Sequence, residues 1–316
     1  MRPIRSVLVM HAEPDRVARI VEAEADEIAF HYVDTTERIA PMLQAIRPDA
    51  VFGISQATFP GSAQRAALTA SSVRWFQVGG VGYDHLGAWD RDKVVVTNCG
   101  GLLAPFLAET MTGAMLALNA NFPAYWNQKK EMLWQPIAFR PLQGRTLLIV
   151  GAGAIGGRVG RNAKSLGMKV LSITRSASAA DWADESFGAN QLDEILPKAD
   201  FISVHIRLSE ETRHLFDRRR LALLKADAIF MNASRGAVVD EEALIDALRR
   251  RSIRAAYLDV FEKEPLDRDS PLWSLENVMI TPHASDNVVD WQERFAARFN
   301  ENLQRWNSGQ PLLGLL

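Results

Sequence analysis

Short apolar segments alternate with helical patterns along almost the whole chain, in two successive runs. The first run starts with the strand pattern Ser6–Met10 and closes with VVVTN at 94–98, and the second starts with TLLIV at 146–150. Strands that alternate with helices pair in parallel, because each helix carries the chain back across the sheet. The pattern therefore predicts an α/β fold with two parallel sheets.

The helical patterns set the expected elements of both runs. Helices are predicted at 15–27, 37–46, 63–70, 103–120, 221–225, 241–251 and 290–306, and one more opens at the glycine turn 151–156. The segments KVLSIT, FISVHI, AIFMNAS and AAYLDVF predict buried strands of the second run. Between the runs, FPAYWNQKKEMLWQPIAFRPLQG has three prolines and weak periodicity, so we expect an arm or loop there.

Length and composition narrow the class of protein. The chain has 316 residues, more than one hydrophobic core usually serves, so two domains are expected. A net charge of -2 gives no general reason to bind nucleic acid or an anionic membrane. Cys99 is the only cysteine, which excludes an intrachain disulfide and fits a reducing compartment. No apolar stretch approaches the roughly 18 residues of a membrane span, and the N-terminal run is too short for a signal peptide, so we expect a cytoplasmic protein.

The segment GAGAIG at Gly151 to Gly156 follows an apolar strand and opens a helix. Gly151 would allow the tight turn, Gly153 would let the backbone approach a pyrophosphate, and Gly156 would let the helix pack close to the strand. The free N–H groups and the positive end of the helix would then face the phosphates. In this context the motif predicts dinucleotide binding.

The end of the next strand bears on which dinucleotide is bound. A site for NAD usually has a carboxylate there, about 20 residues after the glycines, that accepts hydrogen bonds from the ribose. Here the strand KVLSIT ends in Thr174, Arg175 and Ser176, with no carboxylate. Arg175 would attract the additional phosphate of NADP and Ser176 could donate a hydrogen bond to it, so we expect NADP(H), with NAD(H) as the alternative.

Three polar groups follow three other predicted strands. Arg235 comes after AIFMNAS, Glu264 after AAYLDVF, and His283 after VMITP. Ligands of an open parallel sheet bind outside the carboxyl ends of its strands, so these side chains should share one site with Gly151. An arginine can hold a carboxylate, and a histidine oriented by a glutamate can exchange a proton with a carbonyl oxygen. The set suits a small 2-keto acid, and we expect no metal.

The order of these motifs, GAGAIG, NASRG with VVDEEAL, LDVFEKEP and TPH, resembles the D-isomer-specific 2-hydroxyacid dehydrogenase family. QVGGVGYDHL at 77–86 is similar to the family's substrate loop, and AETMTGAMLAL resembles its interface helix. The resemblance runs through most of the chain and implies two Rossmann-like domains. These are a flavodoxin-like substrate domain of residues 1–99 and 285–316, and an inserted NAD(P)-binding domain of residues 100–284 that carries a dimerisation helix and arm near 103–142. It also implies a homodimer.

The resemblance implies roles for individual residues. Arg235, Glu264 and His283 would form the catalytic group, and backbone N–H groups at Val81 and Gly82 would bind the substrate carboxylate. Asp259 would hold the nicotinamide amide. The full set of implied or expected cofactor residues is Gly151, Gly153, Ala154, Ile155, Gly156, Arg175, Ser176, Ile206, Arg207, Ala233 and Asp259.

Within the family, the chain looks like the glyoxylate/hydroxypyruvate reductase branch. The Thr-Arg-Ser end of the second strand and Trp134 followed by Gln-Pro carry this likeness. In that branch a tryptophan of the arm can reach the partner's active site, and ordinary dimer packing is the alternative for Trp134.

Two segments depart from the family pattern. The chain has His-Ile-Arg-Leu at 205–208 where the family usually has His-x-Pro-Leu, which alters the adenine side of the site. After His283 it reads Ala-Ser-Asp-Asn, where the family often has a glycine and a threonine. The second change leaves the identity of the acid open.

Two other functions remain open from the sequence. One is an NAD(H)-dependent dehydrogenase for another acid, and the other is a dinucleotide-sensing protein such as the co-repressors that share the fold. Retention of Arg235, Glu264 and His283 favours an enzyme.

Overall fold

The computed structural model of the chain describes residues 2–25, 27–55 and 59–316. It contains two compact units, each treated by itself below. The first unit comprises Met1–Leu103 and Val288–Leu316, and the second comprises Ala104–Asn287. The substrate and cofactor roles expected of the two parts of the chain stay predictions.

The first unit is built on a parallel sheet. Within its described residues the sheet has five strands in the order β2-β1-β3-β4-β5. They are β1 (Ser6–Met10), β2 (Ala29–Val33), β3 (Ala50–Ile54), β4 (Trp75–Gly79) and β5 (Val95–Thr97). The helices are α1 (Asp15–Val21), α2 (Ile39–Ile46), α3 (Arg65–Thr69) and, from the C-terminal segment, α10 (Trp291–Asn307). Stacked rings of Phe52, Trp75, Phe299 and Trp306 fix α10 against the strands.

The second unit holds a larger parallel sheet with the strand order β12-β11-β10-β9-β6-β7-β8. The strands are β6 (Thr146–Val150), β7 (Lys169–Thr174), β8 (Glu185–Gly188), β9 (Phe201–Val204), β10 (Ile229–Asn232), β11 (Ala255–Leu258) and β12 (Val278–Ile280). The helices are α4 (Ala104–Asn119), α5 (Phe122–Lys130), α6 (Ala154–Ser165), α7 (Leu192–Ile195), α8 (Arg218–Leu221) and α9 (Glu241–Arg249). Both sheets together confirm the predicted α/β class.

The apolar run of β6 explains its central position. Leu147 and Ile149 enter the core on the face covered by α4 and α6, whereas Leu148 and Val150 enter the core on the opposite face, covered by α9. Because alternate side chains of a strand point to opposite faces, a continuous apolar run fits only a strand that is covered on both sides.

Several elements differ in position or type from those predicted from the sequence. The first helix ends at Val21 rather than at residue 27, and the helix expected at 221–225 lies at Arg218–Leu221. The stretch expected to be an arm or loop begins with the helix α5, which has Pro123 in its first turn, where a proline is tolerated. The short strand β8 and helix α7 were not predicted.

A tryptophan fills a notch on α6 that two glycines leave open. A Cβ at Gly160 would lie 2.3 Å from Cε3 of Trp182, and a Cβ at Gly157 would lie 3.1 Å from its Nε1. Trp182 is buried in the core on this face. The indole therefore fastens the end of the loop between β7 and β8 to the helix α6.

We expect Gly160→Ala to lower the free energy of unfolding by about 1–3 kcal/mol, the usual cost of overpacking a core. In the background Trp182→Leu, which removes the ring that the new methyl group meets, the same substitution should cost much less. Chemical denaturation of the four proteins measures both steps. Equal costs in the two backgrounds would show that the Gly160–Trp182 contact is not the cause.

Candidate active site

The glycine turn after β6 is shaped by close contacts. Gly151 has φ 103°, and a Cβ there would lie 2.4 Å from the carbonyl oxygen of His205. A Cβ at Gly156 would lie 2.2 Å from the carbonyl oxygen of Gly151, so the helix and the strand can approach each other only with glycine here. Among the described residues, a Cβ at Gly153 would meet nothing within 4 Å. The space over Gly153 lies at the amide end of α6, beside Ala154 and Ile155, and the pyrophosphate contact expected there stays a prediction.

His205 lies under this turn. Its Nε2 is 2.8 Å from the hydroxyl of Ser203, and burial lowers the pKa of His205 to about 3. The imidazole is therefore neutral at physiological pH. Its backbone carbonyl, rather than its ring, is what the glycine turn packs against.

The turn that carries Arg235 interlocks with the segment that carries Glu264. A Cβ at Gly236 would lie 1.9 Å from the carbonyl carbon of Phe261 and 2.4 Å from the amide nitrogen of Glu262. Only glycine allows the two backbones to come so close. The interlock brings the ends of β10 and β11 together, and with them Arg235 and Glu264.

His283 and Glu264 form a hydrogen-bonded ion pair. Nδ1 of His283 is 2.7 Å from Oε2 of Glu264, and the backbone N–H of Phe261 donates to Oε1 at 3.0 Å. The hydrogen bond with Glu264 raises the pKa of His283 above its ordinary value, against the opposing effect of burial. Burial alone would raise the pKa of Glu264, but the hydrogen bonds from His283 and Phe261 outweigh it and the pKa is lowered.

The other ring nitrogen of His283 remains available. Within the described residues no hydrogen bond engages Nε2, and the side chain is 49% exposed. Since Glu264 occupies Nδ1, the pair fixes the ring and leaves Nε2 as the atom that can exchange a proton.

Arg235 acts electrostatically on this pair. Its side chain is half-buried, and its Nη1 donates to the carbonyl oxygen of Ser234 at 2.7 Å. Its positive charge contributes to the lowered pKa of Glu264 and opposes the rise in the pKa of His283. The predicted arginine, glutamate and histidine therefore lie in one cluster of the second unit.

Asp259 anchors the turn that carries His283. The carboxylate, only 2% exposed, accepts hydrogen bonds on Oδ1 from Thr281 Oγ1 (2.5 Å), Ala284 N (2.8 Å) and Ser285 N (3.1 Å). Its backbone oxygen accepts the N–H of His283 at 2.8 Å. Among the residues that the structure describes, Oδ2 accepts only one longer bond of 3.3 Å, again from Ser285 N. The contact with a nicotinamide amide expected of Asp259 stays a prediction, and Oδ2 is the oxygen that could make it.

The residues predicted to select NADP lie after β7. Arg175 and Ser176 are exposed, and Arg175 forms no ion pair within the described part of the chain. The hydroxyl of Ser176 is 2.7 Å from that of Ser178, whose N–H donates to Thr174 Oγ1 at 3.0 Å. The loop thus presents a guanidinium and hydroxyl groups to solvent.

The remaining predicted residues lie at several places in the fold. Ala233 is buried at the end of β10, Ile206 packs at the edge of the core, and Arg207 is exposed. Val81, whose carbonyl oxygen accepts from Asn98 Nδ2 at 2.7 Å, and Gly82 follow β4 in the first unit. Trp134 is 100% exposed in the arm. The roles expected of these residues stay predictions.

The site also contains a second histidine–glutamate pair and a hydroxyl cluster that were not predicted from the sequence. His214 Nε2 lies 2.6 Å from Glu262 Oε1. The buried hydroxyl of Tyr257 contacts both Thr281 and Ser285. A tyrosine inside the apolar run AAYLDVF was the signal for this cluster, since a buried hydroxyl needs polar partners.

The departure after His283 brings a carboxylate into the cluster. Burial raises the pKa of Asp286, and the charge of His283 opposes this rise. Across residues 2–25, 27–55 and 59–316, no three histidine, cysteine or acidic side chains are grouped so as to hold a metal ion. The described helices include none that is both long and apolar enough to cross a membrane.

Comparison with known proteins connects this geometry to one family. Residues 112–285 match the family described as D-isomer specific 2-hydroxyacid dehydrogenase, NAD binding domain. A glyoxylate reductase of Korarchaeum cryptofilum is 36% identical over 242 residues, which cover 73% of this chain and 72% of that protein.

Two solved structures are similar to this protein over nearly the whole length of the chain. A D-isomer specific 2-hydroxyacid dehydrogenase family protein of Aeromonas salmonicida is 32% identical with a TM-score of 0.87, covering 99% of this chain and 98% of that one. A D-isomer specific 2-hydroxyacid dehydrogenase of Xanthobacter autotrophicus, in complex with NADPH and MES, is 25% identical with a TM-score of 0.81, covering 98% and 97%.

The ion pair predicts how His283 titrates. Its pKa should lie above 6.5, and Glu264→Gln should lower it, because the neutral amide no longer stabilises the imidazolium. While Glu264 is ionised, the raised pKa of His283 stabilises the folded protein fully below the unfolded pKa of histidine, and this contribution is lost as the pH rises through the higher folded pKa.

NMR titration of the histidine ring protons measures this shift in the protein without substrate. His214→Ala is the control, since it removes the other histidine–glutamate pair and should leave the pKa of His283 unchanged. An unshifted His283 titration in Glu264→Gln would show that the pair does not set this pKa.

Proposed function

The chain belongs to the D-isomer specific 2-hydroxyacid dehydrogenase family, and we propose that it reduces a small 2-keto acid to the D-2-hydroxy acid with NADPH. Membership confirms the resemblance predicted from the sequence, and the chain is an NAD(P)-dependent dehydrogenase. The observation that carries the proposal is the His283–Glu264 pair, in which Nε2 is available and on which the charge of Arg235 acts. The glyoxylate reductases among its relatives favour glyoxylate as the acid.

In this proposal the side chains of the second unit divide the work of reduction. When bound, the reduced nicotinamide supplies the hydride that the keto carbon receives. Arg235 binds the carboxylate and carbonyl of the acid, because a guanidinium stays charged and donates several hydrogen bonds. His283 donates the proton on Nε2 to the carbonyl oxygen, and Glu264 stabilises the imidazolium beforehand. In the oxidation direction Nε2 takes the proton back.

The raised pKa of His283 suits this direction of chemistry. A histidine with a pKa above its ordinary value keeps its proton up to a higher pH than a free histidine does, and it can donate this proton as hydride arrives. Reduction should therefore be fastest below this pKa and decline as the pH rises through it.

The preference for NADP is supported by charge. Residues 174–176 offer one guanidinium and two hydroxyl groups and no carboxylate that would repel a 2′-phosphate. The Xanthobacter autotrophicus relative was solved with NADPH. Trp182, wedged against α6, holds the far end of the loop that carries Arg175.

We also propose a homodimer formed through the arm. Its exposed apolar side chains would otherwise form an unusual solvent-facing surface on a soluble enzyme. They are Phe122, Trp126, Met132, Leu133, Trp134 and Phe139.

The catalytic assignment is tested with a panel of 2-keto acids, followed by the absorbance of NADPH and, separately, NADH. His283→Ala should reduce kcat by roughly 10²–10⁴-fold, as expected when an acid–base group is lost. His214→Ala is the matched control, since it also removes a histidine paired with a glutamate, and it should keep full activity. Binding of NADPH without reduction of any acid by the wild-type protein would instead favour a dinucleotide-sensing role.

The cofactor assignment is tested by Arg175→Asp. The introduced carboxylate should repel the 2′-phosphate and accept hydrogen bonds from the ribose of NAD, and so reverse the ratio of kcat/KM for NADPH over NADH. Arg249→Asp, which makes the same charge change at the exposed end of α9, should leave the ratio unaltered. If both variants keep the wild-type ratio, Arg175 takes no part in cofactor selection.

A further inference from the structure

The hydroxyl of Tyr257 ties together the two ends of the turn that carries His283. Tyr257 lies in β11 and is fully buried. Its Oη is 2.7 Å from Oγ1 of Thr281 and 2.6 Å from Oγ of Ser285. We propose that Tyr257 is a positioning residue for the proposed reaction, which orders the His283 turn through a directed chain of hydroxyl groups that ends on Asp259.

The direction of the hydrogen bonds in this chain of hydroxyl groups follows from counting their protons. Each hydroxyl has a single proton to donate. Thr281 donates its proton to Asp259, at 2.5 Å, so it must accept from Tyr257. Tyr257 has then used its own proton and must accept from Ser285. The chain therefore runs from Ser285 through Tyr257 and Thr281 to the buried carboxylate of Asp259.

The turn needs such support because of its backbone. His283 has φ 51°, a left-handed conformation that costs a residue with a Cβ roughly 1–2 kcal/mol. The amides of His283, Ala284 and Ser285 are all held by Asp259, and the hydroxyl of Thr110 on α4 donates to the carbonyl oxygen of Ser285 at 2.8 Å. Together these bonds hold the imidazole ring where Glu264 meets it.

Tyr257 keeps its proton under all physiological conditions. Burial raises the pKa of its hydroxyl, against the effect of the bonds with Ser285 and Thr281. The chain of hydroxyl groups also accounts for one departure from the family pattern after His283, because Ser285 supplies the hydroxyl that Tyr257 needs as a donor.

The inference rests on the proposed function for its kinetic readout, and hydrogen exchange tests it without any substrate. Tyr257→Phe keeps the ring and removes the oxygen. We expect kcat to fall about 10-fold, equivalent to about 1.4 kcal/mol in the barrier, with a smaller change in KM, because a loosely held imidazole spends less time in the reactive geometry. Amide exchange of His283, Ala284 and Ser285 should accelerate at least as much, while the amides of β11 stay protected.

Tyr32→Phe is the matched control, since the hydroxyl of Tyr32 bonds to Glu22 in the first unit. It should change neither kcat nor exchange in the turn. The direction of the chain gives a further test: Thr281→Val, which cuts the link to Asp259, should impair kcat and exchange protection more than Ser285→Ala, which removes only the outermost donor.

Three outcomes would overturn the inference: wild-type kcat and exchange in Tyr257→Phe, a uniform loss of protection across the second unit with unchanged kcat, or a larger effect of Ser285→Ala than of Thr281→Val. If the wild-type protein reduces no acid, the proposed function fails. The amide exchange measurements still test whether Tyr257 orders the turn that carries His283.

Discussion

The cluster of Arg235, Glu264 and His283 depends on a single buried carboxylate. Asp259 accepts the hydroxyl of Thr281 and the amides of Ala284 and Ser285, and its backbone oxygen accepts the amide of His283. A buried charge is tolerated only when several donors surround it, so the turn and the carboxylate require each other. Through this arrangement the end of β12 is held beside the end of β11, and the imidazole reaches Glu264.

Close contacts between backbone segments, at glycines where a side chain would not fit, also hold the cluster together. Gly236 lets the Arg235 turn pack against Phe261 and Glu262, and Gly151 lets the glycine turn after β6 pack against His205. At both places a Cβ would overlap the main chain of a neighbouring strand end. The guanidinium of Arg235 and the imidazole of His283 thus lie in one cluster at the carboxyl edge of the sheet, as the proposed reaction requires.

Much of this arrangement could be predicted from the local sequence pattern and from the order of the strands along the chain. The apolar run of β6 and the spacing of its glycines predicted a strand, a turn and a helix, because each residue's conformation follows from its near neighbours. Arg235, Glu264 and His283 could be assigned to one site because parallel strands end at the same edge. The fold class is confirmed by the structure and by the relatives.

Features that depend on distant partners were not predictable in this way. The strand β8 reads ESFG, with no apolar run, and exists because it pairs with β7. The helix α5 was not predicted, because its segment is polar and aromatic, lies near several prolines and has no clear apolar face. The bonds of Tyr257 join residues 24 and 28 positions away, and no spacing rule relates them.

The wedge of Trp182 on α6 has a consequence for how this enzyme can change. It separates the exposed segment that begins at Arg175 from the core of the sheet, so that insertions or exchanges between the end of β7 and the indole need not disturb the helix α6. Under the proposed function, cofactor preference becomes a modular property of the protein, which can change while Arg235, Glu264 and His283 on the other strands stay in place.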